Sequence, residues 1–333
     1  MNDSMNIRLL RTAVLIAALP LSAHVGAAQG APSWKSEAVQ IDRSPGIIAG
    51  TLLVPTGTSA TPLVVMIAGS GPTDRDGNTV GTAFHSSGLA QLAESLATHG
   101  IASVRYDKRG IAGSASAVQR ESDMRFDTLA ADAAAWALKY RGDARFTKII
   151  IVGHSEGALL GLIASRQAGA DGYVSLEGPA RRADLVLREQ LAAAPFTPLL
   201  RAQSDTIMAS LVSGQTYASP PPELAAVFRP SVQPYMISWF HYSAADEIRR
   251  VNVPCLIVQG TSDIQVLPAE ATLLKAANPA CESRLVDGMN HVLKHASGTL
   301  AEQMPSYQDP SMPLAPGLVE GVVSFVKSVA LHR

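Results

Sequence analysis

Four uninterrupted apolar runs mark the chain: Leu63 to Ala68, Ile101 to Arg105, Lys148 to Val152 and Cys255 to Val258. A strand that is apolar at every position must be buried on both faces, the condition of a parallel sheet covered by helices. Helical patterns lie between the runs. Ser87 to Thr98 places Leu89, Leu92, Ala93 and Leu96 on one side and stops at Gly100. Phe126 to Tyr140 repeats this with Leu129, Ala133, Trp136 and Tyr140, and the tail from Gly317 to Ala330 does so with Leu318, Val322, Phe325, Val326 and Val329. Gly157 to Ala168 is apolar and small, suited to a helix pressed against a sheet. Near the start, Glu37 to Ile41 and Gly46 to Val54 read as paired strands with a turn at Ser44-Pro45-Gly46. Ser283 to Val286 is the last expected strand. The alternation predicts an α/β fold, a mostly parallel sheet with helices on both faces.

One region interrupts the alternation. Between about 181 and 250 no strand-like run occurs, and helix-compatible stretches are divided by Pro195, Pro198, Pro220 to Pro222, Pro230 and Pro234. Phe196, Tyr217, Phe228, Tyr235, Trp239, Phe240 and Tyr242 concentrate the aromatics there. A helical insertion between two sheet strands is expected, either as a lid over the pocket or as a layer that completes the core.

The first residues are different in kind. Arg8 and Arg11 precede the apolar stretch Thr12 to Ala23, which exits through small residues at Gly26, Ala27 and Ala28. This reads as a signal peptide over 1–28, with one domain over 29–333 and an exported, periplasmic or secreted product that has no membrane attachment after cleavage. Net charge is −1 and no long single-sign run exists, so a nucleic-acid or anionic-lipid partner is not expected. In an oxidising compartment Cys255 and Cys281 could form a disulfide; the alternative is two separate buried thiols.

The chemistry centres on Gly153-His154-Ser155-Glu156-Gly157, which follows the run ending at Val152 and opens the helix from Ala158. The G-x-S-x-G string alone is weak. Its place between a buried strand and a small-residue helix makes it a nucleophile elbow, where the turn forces a Ser outward. A serine hydroxyl needs a base and the base needs an orienting acid. His291, on the loop after the last strand, is the candidate base, with His295 one helical turn on as its rival. Asp263, in Gly260-Thr261-Ser262-Asp263 after the Cys255 strand, is the candidate acid, with Glu177 as a second strand-end carboxylate. Oxyanion donors are expected from the N–H groups of Glu156 and of Ser70, or failing that Gly71, in the loop Gly69-Ser70-Gly71-Pro72-Thr73-Asp74-Arg75-Asp76-Gly77. That loop lacks G-x-G-x-x-G and the Gly-Lys-Ser/Thr ending of phosphate loops, and no cluster has metal-ligand spacing, so no cofactor or metal is called for.

The elbow, this loop, Arg105-Tyr106-Asp107-Lys108-Arg109-Gly110, the Asp263 turn and Gly288-Met289-Asn290-His291 together resemble the α/β-hydrolase superfamily, specifically its secreted bacterial branch of esterase and serine aminopeptidase-like proteins. The resemblance spans about Trp34 to Leu331. It implies an eight-stranded core, the roles of Ser155, Asp263 and His291, and a small-molecule ester substrate. The His-Gly usual ahead of the oxyanion donor is Ala68-Gly69 here. The same triad serves amides and thioesters. An aminopeptidase would need a carboxylate for the substrate ammonium, for which Glu223, Asp246 or Glu247 would have to serve. A catalytically idle binding module is the reading from another class.

Overall fold

Leu63, Val65 and Ile67 pack into one hydrophobic core while Val64 and Met66 pack into another. Successive side chains of a strand leave opposite faces, so a strand apolar throughout feeds two cores at once. In this computed structural model, which describes residues 33–57 and 60–331, that arrangement organises the whole sheet. The chain runs β1 (Trp34–Arg43), β2 (Gly46–Pro55), β3 (Thr61–Ile67), α1 (Gly88–Thr98), β4 (Ala102–Tyr106), α2 (Phe126–Tyr140), β5 (Phe146–His154), α3 (Glu156–Ala168) and β6 (Gly172–Leu176). Five helices follow: α4 (Ala183–Ala193), α5 (Pro198–Val212), α6 (Ala225–Phe228), α7 (Gln233–Trp239) and α8 (Ala244–Ile248). Then come β7 (Cys255–Gly260), α9 (Ala269–Ala277), β8 (Glu282–Val286), α10 (Leu300–Gln308) and α11 (Leu318–Leu331). The expected signal peptide lies outside the described residues.

The eight strands order as β1-β2-β4-β3-β5-β6-β7-β8. β1 and β2 form the expected hairpin and β2 meets β4 antiparallel; every other neighbouring pair is parallel. Helices α2 and α3 cover one face, with Phe126, Leu129, Trp136 and Leu160 in its core. Helices α1 and α11 cover the other with Leu92, Leu96, Val322 and Val326. β3 extends two residues further back than the apolar run suggested. Pro62, which has no N–H to give the ladder, sits where the β3–β5 register shifts between Thr61 and Leu63.

The 181–250 insertion is helical throughout its regular elements, as its composition indicates. Its side chains face both the core and the pocket. Ile207, Met208, Leu211, Phe228 and Phe240 are buried in the first core, while Val186, Leu187 and Trp239 line a cavity beside Ser155.

Parallel strands end at one edge, so the segments after β3, β5, β6, β7 and β8 gather there. The far edge of the sheet is closed covalently. Cys255 opens β7, Cys281 immediately precedes β8, and the two form a disulfide with Cα atoms 4.6 Å apart. β8 is otherwise an exposed edge strand, with only Val286 buried. Closing a loop of 26 residues contributes about 3 kcal/mol through the unfolded chain. The Cys255→Ala/Cys281→Ala protein should therefore lose about that much stability in urea unfolding under non-reducing conditions; a loss below about 1 kcal/mol would show that the bridge is energetically idle.

Candidate active site

A single residue, Ser155, separates β5 from α3. Its φ of 55° and ψ of −122° lie in a region that L residues seldom adopt, a strain of about 1–3 kcal/mol that the surroundings must hold. The neighbours show how. A Cβ on Gly153 would lie 2.0 Å from the Gly157 carbonyl oxygen, and one on Gly157 would lie 2.4 Å from that of Ile67. The first turn of α3 is thus pressed against the ends of β5 and β3, leaving the Ser155 side chain directed outward. Glu156 begins α3, so its N–H has no intrahelical acceptor and stands at the positive end of the helix.

Asp263 and His291 meet across loops from β7 and β8. His291 Nδ1 lies 2.7 Å from Asp263 Oδ2, and Asp263 Oδ1 accepts the N–H groups of Gln265 and Val266 at 2.7 and 2.9 Å. Burial opposes ionisation of Asp263, but His291, a hydrogen bond from Glu177 and the Val266 N–H together hold its carboxyl below the ordinary value. An ionised Asp263 fixes the proton on Nδ1 and leaves Nε2 as the basic nitrogen. Ser155 and His291 border the same two cavities. Among the described residues, the Ser155 hydroxyl takes part in no hydrogen bond.

Two further groups support this pair. Glu177 follows β6, fully buried, with Oε1 accepting the Gly260 N–H at 2.9 Å and Oε2 accepting from Gln259 Nε2. That same amide donates to the Val266 carbonyl at 2.9 Å and stands 3.5 Å from Asp263 Oδ2. Burial foremost, then the charge of Asp263 and their mutual hydrogen bond, raise the Glu177 pKa well above the usual carboxylate range. Glu177 thus stands behind Asp263 as the carboxyl group that burial biases towards its neutral form. His154 engages the base's own loop: its Nε2 lies 2.7 Å from the His291 carbonyl oxygen, and its ring stands 4.9 Å from that of His291. Burial foremost, with His291 adjacent, lowers its pKa to about 3, so a neutral imidazole donates Nε2–H and anchors the His291 backbone.

The loop after β3 is held by charge. Asp107 accepts the Arg75 N–H at 2.8 Å, the Arg75 guanidinium at 2.6 Å and the Gly113 N–H at 2.9 Å. Arg105 pairs with Asp76 at 2.6 Å. Lys108, 4% exposed, donates to the Gly69 carbonyl and to Glu156 Oε1 at 2.9 Å, while Glu156 Oε2 accepts the Tyr235 hydroxyl of α7 at 2.6 Å. One buried cation thus ties together the loop before Ser70, the residue after Ser155 and the helical insertion. Ser70 borders both cavities and Gly71 only the larger.

The larger cavity has a volume of about 610 Å³ and no Asp, Glu, Lys or Arg in its lining. The smaller, of about 70 Å³, lies on the Glu156 side under α4 and Trp239. His295 is exposed, packs against Gly288 and borders neither. Among the described residues, no group of three or more His, Cys, Asp or Glu is arranged to hold a metal ion.

The model of the Alpha/beta hydrolase family matches residues 64–301, most of the chain, with Ser155, Asp263 and His291 among them. The chain belongs to that family. It is also similar to esterase EstD of Thermotoga maritima, 26% identical over 256 residues, which are 75% of this chain and 59% of that relative. Among solved structures, Est1E of Butyrivibrio proteoclasticus with bound ferulic acid superposes with a TM-score of 0.58 at 17% identity, covering 87% of this chain and 97% of that one. The Pyrococcus furiosus esterase Pf2001 gives 0.53 at 16% identity, over 89% and 93%. These two likenesses establish fold.

Within the family fold, sequence reasoning placed Ser155, Asp263, His291, Glu156 and Ser70 at one sheet edge, and all five stand there. It had no role for Lys108 beyond its place in the Arg105–Gly110 motif, and no signal singled out Tyr235 among the insertion's aromatics. Glu177, the other strand-end carboxylate, stands behind Asp263, joined to it through Gln259.

Removing Lys108 leaves Glu156 buried without its cation, so Lys108→Met should cost about 3–5 kcal/mol in denaturant unfolding, whereas a cost under about 1 kcal/mol would mean that the pair is solvated and idle. Glu177 binds its proton more tightly folded than unfolded. The stability this confers is complete below the ordinary value of 4.5 and is lost as pH rises towards the raised folded value. Glu177→Gln does not titrate, so the Tm of the native protein minus that of the variant should fall as pH is raised from about 4.5 to about 8. A difference independent of pH would show Glu177 ionised in the fold.

Proposed function

We propose that this protein is a serine hydrolase that cleaves carboxylic esters through an acyl-enzyme on Ser155. The observation that carries the reading is the 2.7 Å contact between His291 Nδ1 and Asp263 Oδ2, in a site where the imidazole and the strained Ser155 border common cavities. His291 Nε2 takes the Ser155 proton as Oγ attacks the acyl carbon, and Asp263 stabilises the imidazolium that results. The negative oxygen of the tetrahedral intermediate is met by the N–H groups of Glu156 and Ser70, with the α3 dipole behind the first. The imidazolium then protonates the leaving oxygen. Water, activated by the same nitrogen, attacks the acyl-enzyme and releases the acid.

Esters are favoured over peptides with a free amino terminus because the cavities offer nothing to hold an ammonium. Glu223 and Asp246 are exposed, Glu247 is paired with Arg166 and Arg250, and none of the three borders either cavity. Among the described residues, the one carboxylate in the lining, Glu156, is taken up by Lys108 and Tyr235. Similarity to EstD supports the ester reading. Export is part of the proposal, and the disulfide, suited to an oxidising compartment, supports it.

With an aryl acetate as substrate, Ser155→Ala should lower kcat by about 10⁶-fold while leaving the thermal transition in place, and His291→Ala should be comparably damaging. Activity near that of the native protein in Ser155→Ala would end the reading. Retention in His291→Ala alone would move the base elsewhere.

A further inference from the structure

The two cavities meet at Ser155, Ser70, His291, Gln190 and Gln265, so one substrate bound at Ser155 has two unequal places for its two halves. We infer that the physiological substrates are esters of a short acyl group, of about two or three carbons, with a bulky, uncharged, largely apolar alcohol. This names the substrate class for the reading above and rests on it.

The size limit comes from the smaller cavity. Its volume is about 70 Å³, and a water-sized group occupies about 30 Å³, so it admits about two or three carbon atoms. Its walls are firm: Ala183, Val186 and Val266 are 4%, 8% and 3% exposed, and Trp239 is stacked on Phe126 with ring centroids 5.8 Å apart. The larger cavity is lined by Leu89, Ile264, Leu300, Met304 and the edge-to-face pair Phe84 and Tyr307. An alcohol carrying a formal charge would find no partner among these side chains and would be desolvated without compensation.

Which half goes where follows from the order of events. The alcohol must leave after the first step while the acyl group remains bonded to Ser155, and water must then enter. Phe84, Ile264 and Leu300 of the larger cavity stand 39%, 40% and 51% exposed, an apolar rim through which an apolar alcohol enters and leaves. That cavity also follows Val292 and Leu293, next to the imidazole that protonates the leaving oxygen. The smaller cavity, bordered by Glu156 at the oxyanion end, is the narrower side that retains the acyl group.

Two series of esters test this. With 4-nitrophenol as the common alcohol, kcat/KM should drop at least about tenfold between propionyl and hexanoyl esters; with acetyl as the common acyl group, it should rise at least about tenfold from ethyl to 3-phenylpropyl, alcohols of similar leaving ability. Val186→Ala, a small trimming of the smaller cavity, should raise the hexanoyl-to-propionyl ratio about fivefold or more and leave the ethyl-to-3-phenylpropyl ratio unchanged. A flat acyl series, or a preference for long acyl groups on small alcohols, overturns the assignment, while loss of turnover in Ser155→Ala still upholds the serine hydrolase. Absence of turnover on every ester in both series overturns the two together.

Discussion

The site depends on how closely α3 is pressed against β3 and β5. Because the carbonyls of Ile67 and Gly157 stand where side chains at 157 and 153 would have to be, only glycine fits at 153 and 157, and Ser155 between them takes a backbone conformation that costs free energy. The two cores on either face of the sheet supply the packing that holds it. What the strain achieves is direction: a hydroxyl raised above the sheet edge, next to the first free N–H of a helix, where the loops after β7 and β8 can reach it.

Around that point the charged groups divide into those that act and those that hold. Hydrogen bonds and His291 hold the Asp263 carboxyl below its ordinary pKa, whereas burial beside Asp263 raises that of Glu177. Two carboxyl groups in contact cannot both ionise in a dry interior, and their environments place the charge on the one that faces the imidazole. His154, adjacent in sequence to Ser155, is neutral and holds the His291 backbone. Lys108 and Glu156 form a buried pair that fixes the spacing of the two expected oxyanion donors, and Tyr235 extends the connection to the insertion. The insertion is accordingly continuous with the core and at the same time a wall of the pocket.

Much of this was legible in the sequence. Continuous apolar runs identified the central parallel strands, since burial on both faces leaves no polar alternation. Strand ends then located Ser155, Asp263 and His291, because parallel strands deliver their following loops to one edge. What the sequence left open were matters of three-dimensional proximity. Glu177 and Asp263 are both strand-end carboxylates, and only their relative depth assigns one the charge and the other the proton. The cysteines at 255 and 281 could have been separate thiols until β7 and β8 were seen to be neighbours. Lys108 and Tyr235 are unremarkable in the chain, and their meeting at Glu156 needs contacts across 48 and 79 positions. The smaller cavity was not legible at all, because helices split by prolines carry no signal for where their side chains converge.

The central claim is that Ser155 is an activated nucleophile. Incubating the purified protein with a fluorophosphonate and mapping the adduct by peptide mass spectrometry tests it most directly. A single adduct on the peptide containing Ser155, formed far more slowly when His291 is replaced by Ala, is the result this account predicts. An unmodified Ser155 in folded protein, or an adduct carried by a different residue, would contradict it.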